Sequence, residues 1–345
     1  YIHAVCSELE MRKEYLGGET IETIYWGGGT PSQLDKEDFE TIFYYLHKNY
    51  SISSHPEITL EANPDDLTPD YIAMLRTLPF NRLSMGIQTF NESILKVLQR
   101  RHTARQAIEA FQNCRAAGFQ NISIDLMYGL PGETLSTWQQ DLDQALLLHP
   151  EHLSAYHLIY EEDTVLWKLR EQHKVEEADE DLSVSLFSTL IDRLTSEGYD
   201  HYEISNFSLP GLYSRHNSSY WTEKKYLGCG PSAHSYNGVS RQWNVASLDT
   251  YIKGISAGTP VFEIEELDLY TRYNDFVITR IRTEWGMPLS KLRDEFGEKL
   301  YDYCLRMAAP HLKQGTLELV NDILKLTRKG IFISDGIMSD MLWTD

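Results

Sequence analysis

Five short apolar runs, set roughly 30 residues apart with helical patterns between them, constrain this chain more than anything else in it. The runs are IETIYWGGG, EITLEANP, RLSMGIQTF, ISIDLMYGLPG and HLSAYHLIYEEDT, and they fill the first 165 residues. Between them, residues 36–49 put Phe39, Ile42, Phe43 and Leu46 on one helical stripe. Thr68 and Pro69 read as the N-cap and first residue of a second helix, and Asn91 as the cap of a short third. Residues 104–117 end at Gly118, which suits a helix C-terminus. Trp138, Leu142, Ala145 and Leu146 mark another helix before Pro150. Strand and helix in alternation call for a parallel sheet, either a barrel or a doubly wound sheet. With five strands visible, the expected fold is α/β: a partial (β/α)6 TIM-type barrel whose first strand lies upstream of Tyr1.

Polar or glycine residues crowd the end of each run: Gly27 to Thr30, Glu61, Gln88, Asp125, and Tyr160 to Asp163. Ligands of parallel α/β sheets sit at the carboxyl ends of the strands, so this pattern predicts one shared central site. The glycine run itself does not fit a phosphate loop. Such loops carry GxxxxGK[ST] or GxGxxG and open directly into a helix. Here Thr30, Pro31 and Ser32 follow, no Lys is in place, and the next helix starts near Asp35 or Lys36. Bare backbone at strand height suits a zwitterionic or nucleoside ligand better than a triphosphate.

Beyond the alternating region the character changes. Residues 171–200 begin as an acidic stretch and continue as an amphipathic helix, and His201 to Asn244 is rich in aromatics and turns. The tail LKLTRKGIFISDGIMSDML resembles the strand–turn–helix end of a winged-helix subdomain. The expected organisation is therefore a barrel over 1–170, a joining segment over 171–260 and a smaller, mostly helical domain over 261–345.

Bulk properties narrow the function. The 345 residues include 51 acidic and 31 basic ones, for a net charge of -20, which disfavours non-specific contact with nucleic acid or anionic membrane. No apolar run reaches the length of a transmembrane helix. YIHAVCSELEMRKEYL lacks the basic start and apolar centre of a signal peptide and reads as an amphipathic helix with Ile2, Val5, Cys6 and Leu9 on one face. A chain opening inside a helix without Met leads us to expect further residues upstream. Cys6, Cys114, Cys229 and Cys304 fit no zinc, redox or disulfide spacing and read as reduced cysteines of a cytoplasmic protein.

YWGGGTPS, TLEANP, RLSMGIQTF, ISIDLMYGLPGET and LSAYHLIYEEDT together resemble the successive strand ends of radical S-adenosylmethionine (SAM) proteins, specifically the oxygen-independent coproporphyrinogen III oxidase group. Within that group, RHNSSYW (215–221) and YLGCGPSAHSYNG (226–238) are similar to the HNxxYW motif and following block of the haem chaperone (HemW) branch. The resemblance covers essentially the whole chain. It implies that Gly28, Gly29 and Thr30 take the amino end of SAM and that Glu61 lies near its methionine and ribose. Gln88 and Asp125 would meet the ribose or a neighbouring part. Arg100 would pair with the SAM carboxylate, and Ile159 and His234 would line the adenine pocket.

The resemblance also implies a [4Fe–4S] cluster held by CxxxCxxC, whose electron splits SAM into methionine and a deoxyadenosyl radical. No CxxxCxxC occurs in this sequence, and the motif is expected upstream of Tyr1. His216, Asn217, Tyr220 and Trp221 are candidates for binding haem as cargo: an imidazole for the iron and aromatic faces for the porphyrin. The same residues also read as a packing motif, with aromatics in the core and His bonded to a backbone carbonyl. Two functions stay open on sequence: a haem chaperone serving membrane respiratory enzymes, and the oxidase that decarboxylates coproporphyrinogen III. A third, radical chemistry on another substrate such as tRNA, is disfavoured by the acidic charge.

Overall fold

The expected alternation is realised as strands β1 (Ile21–Trp26), β2 (Ile52–Ala62), β3 (Arg82–Gln88), β4 (Ile122–Tyr128) and β5 (His152–His157). The structure, a computed structural model, describes residues 1–344. The strands stand in the order of the sequence, and β2 to β5 pair in parallel. The sheet is a curled half-barrel of the kind expected. Its far edge carries an element the sequence did not reveal. A hairpin of β6 (Asp200–Glu203) and β7 (Asn206–Ser208) adds to β5 in antiparallel sense. Four and three residues are too few to show a period, and the Glu203 carboxylate fixes the turn by accepting from Ser205 N at 3.1 Å and Asn206 Nδ2 at 2.6 Å.

Alternation along the strands divides the sheet into two faces. Ile58, Leu60, Leu83, Met85, Ile87, Ile122, Ile124, Leu126 and Leu153 are buried on one. Helices Ala104–Ala116, Leu135–Leu147 and Glu180–Ser196 contribute their buried stripes to the same unit, including Phe111, Trp138 and Leu190. Trp138 is wholly enclosed, and its indole N–H donates to Leu186 O at 3.0 Å. The opposite face is polar. Registers place Thr59 beside Arg82, Glu61 beside Ser84, Gly86 beside Asp125, Ser123 beside His152, and Asp125 beside Ser154.

The helix starts follow the sequence signals. Thr68 Oγ1 accepts from Tyr71 N at 3.3 Å ahead of Pro69, and Asn91 Oδ1 accepts from Ser93 and Ile94 N. Thr103 with Gln106, and Thr134 with Thr137, form capping boxes.

By contacts the chain divides into two units, Thr23–Lys36 with Glu57–Ser214, and Tyr1–Glu22 with Glu37–Pro56 and the chain from Arg215 on. In the second unit, helix Ile2–Met11 buries Ala4 against Tyr251 and Ile255. Glu8 on that helix is wholly buried and satisfied by four donors: Arg12 Nη1 (3.1 Å), Asn244 Nδ2 (2.7 Å), Gly230 N (2.9 Å) and Tyr251 OH (2.6 Å). These bonds tie the helix to an antiparallel sheet of β8 (His234–Tyr236), β9 (Ser240–Asn244) and β10 (Phe262–Glu266).

The C-terminal part is winged-helix-like, as expected. Helices Leu269–Ile281 and Leu289–Gln314 precede a hairpin of β12 (Leu317–Val320) and β13 (Ile323–Leu326), with β11 (Met287–Pro288) pairing to β13. Asn321 and Asp322 make the two-residue turn with φ of 51° and 70°, a conformation these residue types tolerate. Among the described residues no helix is long and apolar enough to cross a membrane.

One buried acid makes the sheet unit pH-sensitive. Glu133, in the loop after β4, accepts from Gly129 N at 2.7 Å and Leu130 N at 3.3 Å, while its Oε1 has no partner among the described residues. Burial pushes its carboxyl up to about 7, against the pull of those two N–H groups. A folded-state value above the unfolded one favours folding with the acid neutral, and that contribution fades as pH rises through 7. Glu133→Gln is therefore expected to stabilise the protein at pH 8 by on the order of 2 kcal/mol in urea unfolding, with the gain gone by pH 4.5.

Candidate functional site

The glycine run and Glu61 meet at the carboxyl ends of β1 and β2. Tyr25 OH donates to Glu61 Oε1 at 2.6 Å, and Gly28 N donates to Glu61 Oε2 at 3.2 Å. Each glycine in the run meets a different requirement. A Cβ on Gly27 would stand 2.6 Å from the Tyr25 ring and 2.7 Å from the Glu61 carboxyl carbon. Gly28 has φ of 81°, the left-handed conformation glycine adopts at no steric cost. Gly29 faces open space, and Thr30 follows it, exposed. Glu61 is thus oriented by two donors and keeps lone pairs for a ligand. Tyr25 is raised above the ordinary phenol range by burial and then by the Glu61 charge, so it serves as a hydrogen-bond donor. Sequence reasoning missed it. Its signal was its place two residues before Gly27, on the same face of the strand.

A second group forms at the end of β3. Arg100 Nη2 donates to Asn63 Oδ1 and to Gly86 O, both at 2.8 Å. The approach depends on Gly86, where a Cβ would lie 3.0 Å from Gln88 Nε2 and 3.3 Å from Arg100 Nη2. Gln88 has φ of 70° at a register shift between β3 and β4. A non-glycine residue held in the left-handed region costs free energy and characteristically marks functional strand ends. Burial lowers the Arg100 pKa, but a guanidinium stays charged.

Asp125, one strand further, accepts from Ser84 Oγ at 3.2 and 3.1 Å and lies 3.5 Å from Ser123 Oγ. Burial raises it, Arg82 draws it down and Glu61 pushes it up again, leaving it at about 6.

The sheet unit therefore joins Gly28 to Glu61 directly and sets Arg100 beside Gly86 and Gln88 on the neighbouring strand. Ile159 follows β5 in a loop and is 74 % exposed. His234 belongs to the other unit, exposed on β8, with its ring stacked on Trp243 at 6.0 Å. The groove there has a volume of about 360 Å³, lined by His234, Trp243, Val261 and Phe262 among others.

The haem candidates also lie in that unit: His216, Asn217 and Tyr220 on a short helix, Arg215–Tyr220, where the sequence suggested a turn, and Trp221 just beyond it. His216 Nε2 and Tyr220 OH are hydrogen-bonded at 2.9 Å, one helical turn apart. Asn217 is half-buried. Trp221 packs under the Arg282 guanidinium at 4.2 Å, and its buried Nε1 has no partner among the described residues.

For a cluster the residues present do not fit. Among the described residues no three His, Cys, Asp or Glu side chains come together as a metal site, and Cys6, Cys114 and Cys304 are individually buried. For SAM they do fit: carboxylates for its ammonium and ribose hydroxyls, and a guanidinium for its carboxylate.

The chain is similar to known proteins along most of its length. Residues 6–145 match the radical SAM superfamily, and residues 267–333 match the HemN C-terminal domain. The chain is 32% identical over 343 residues to the heme chaperone HemW of Mycobacterium tuberculosis (strain ATCC 25618 / H37Rv), covering 99% of this chain and 86% of that one. It is 30% identical over 344 residues to the heme chaperone HemW of Bacillus subtilis (strain 168), covering 99% and 91%. Its fold is similar to that of the coproporphyrinogen III oxidase HemN of Escherichia coli, with a TM-score of 0.84 at 23% identity over 99% of this chain and 82% of that one.

The Glu61 arrangement is open to a direct check. Tyr25→Phe removes one donor and is expected to weaken SAM binding, read by calorimetry, by about fivefold, the worth of one hydrogen bond. Gly27→Ala displaces Glu61 itself and is expected to abolish binding in a protein that still folds by circular dichroism.

Proposed function

This chain belongs to the HemW family of radical SAM proteins, and from that premise we propose that it binds SAM on its half-barrel sheet and carries haem as a cytoplasmic chaperone. The observation that carries the SAM reading is the Tyr25–Glu61–Gly28 arrangement, with Arg100 held at the next strand end. Gly28, Gly29 and Thr30 receive the amino end of the ligand beside Glu61. Arg100, anchored through one nitrogen, turns its remaining N–H groups to the ligand carboxylate. Gln88 and Asp125 receive the ribose side, and Ile159 is assigned to the adenine. In this reading a [4Fe–4S] cluster is held by ligands other than the residues described.

The haem reading rests on His216, Asn217, Tyr220 and Trp221. The imidazole exchanges its Tyr220 hydrogen bond for the iron, and the neighbouring aromatic surface receives the porphyrin. Tyr220 is thereby a competitor for His216 as well as a contact. Delivery to membrane respiratory enzymes is the proposed destination of the cargo.

Haem titration followed at the Soret band tests this. His216→Ala is expected to weaken binding by about tenfold or more, and Tyr220→Phe to tighten it about fivefold by removing the competing hydroxyl. Unchanged binding in His216→Ala would remove that residue as the ligand. Separately, the protein incubated anaerobically with SAM, reductant and coproporphyrinogen III is expected to give no protoporphyrinogen. Product at an enzymatic rate overturns the chaperone reading in favour of the oxidase.

A further inference from the structure

Arg82 opens β3, is 1 % exposed, and has no part in the ligand contacts proposed above. It stands on the polar face of the sheet opposite Thr59. Its Nε has no hydrogen-bond partner among the described residues, and neither does the Thr59 hydroxyl. A guanidinium cannot shed its proton at ordinary pH, so a full positive charge sits on an enclosed side chain. Leaving such a charge uncompensated is costly, which directs attention to the nearest acids on the same face.

Glu57, Glu61 and Asp125 stand on that face by strand alternation. Ser84, two residues along β3 and so about 7 Å further up the same face, donates its hydroxyl to both Asp125 oxygens. Glu61 stands next to Ser84 in register. The other groups facing Asp125 are the phenols of Tyr25 on β1 and Tyr156 on β5, both kept protonated by burial. Glu203 on β6 faces Tyr156. His152 and Tyr202 face Arg82. His152 is held between Ser123 Oγ at 2.8 Å and Tyr202 OH at 2.7 Å, and burial keeps it neutral. Among the groups that face Asp125, Arg82 is the cation.

We propose that Arg82 is a positioning residue for the SAM site: without touching the ligand, it holds the neighbouring Asp125 ionised, so that this carboxylate accepts hydrogen bonds at neutral pH. The proposal rests on the SAM reading of the same face. Its sign is definite. An ionised Asp125 is available above its pKa and lost as pH falls through about 6. Without the Arg82 charge that boundary moves up.

SAM binding to the full chain, measured by calorimetry from pH 5.5 to 8.5 with thermal melts in the same buffers, tests it. Arg82→Met keeps the side-chain length and removes the charge. Its binding midpoint is expected to rise by about one pH unit or more, with affinity about threefold or more below wild type at pH 6.5 and recovered at pH 8.5. Arg82→Lys is expected to keep the wild-type midpoint. An Arg82→Met profile with the wild-type midpoint overturns the proposal. Should Arg82→Met fold too poorly to titrate, its melting in the Asp125→Asn background decides. Coupled charges make the double variant at least as stable as Arg82→Met alone, and additive losses overturn the proposal. A wild-type protein that binds no SAM at any pH sinks the SAM reading instead, and the melts still judge the coupling.

Discussion

A parallel strand sends successive side chains to opposite faces, and in this sheet the two sets have opposite chemistry. Leu60, Leu83, Ile124 and Leu153 make one face a packed core. Glu61, Ser84, Ser123 and His152 make the other a row of hydrogen-bonding groups in register across four strands, with Asp125 beside Ser154 two residues on. Everything proposed for the site depends on that division. The apolar face fixes the strands against their helices, and the fixed strands set the spacing between Glu61, Arg100 and Asp125. A one-residue slip in any strand would send its polar set into the core, so register is as much a condition of the site as residue identity.

The polar face is a balance of charges. Glu61 and Asp125 repel each other, burial disfavours an ionised Asp125, and Ser84, Tyr25 and Gly28 supply the donors that keep the two carboxylates in place. The other unit solves a similar problem differently. Glu8 is saturated by four donors and pairs in contact with Arg12, which makes it a structural clamp with no lone pair to spare. Satisfied and partly satisfied carboxylates thus divide the labour between holding the fold and meeting a ligand.

Much of this was legible in the sequence. Helix caps at Thr68 and Asn91, the strand alternation, and the polar strand ends at Gly28, Glu61 and Asp125 follow from local chemistry. Arg82 was not legible, because an alternating polar residue in a strand reads as solvent-facing, and only pairing with neighbours on both sides shows that it is enclosed; Tyr25, on the edge strand β1, shows its role only through its bond to Glu61. Glu8 and Arg12 were invisible for a related reason: their partners lie more than two hundred residues away, at Gly230, Gln242 and Asn244. The hairpin β6–β7 was too short for its period to show. His216 was found by motif, but the hydroxyl that engages it was read only as an aromatic neighbour.

That hydroxyl bears on what a carrier needs beyond affinity. A protein that transports a cofactor must surrender it, and surrender is slow when it strands a bare donor atom in a dry place. Tyr220, one turn along the same helix from His216, offers the imidazole a replacement partner built into the protein. On the proposed haem reading, the nitrogen vacated by the iron would bond again to Tyr220 within its own helix. In kinetic terms such a pair would trade residence time for exchange, which suits cargo meant to move on.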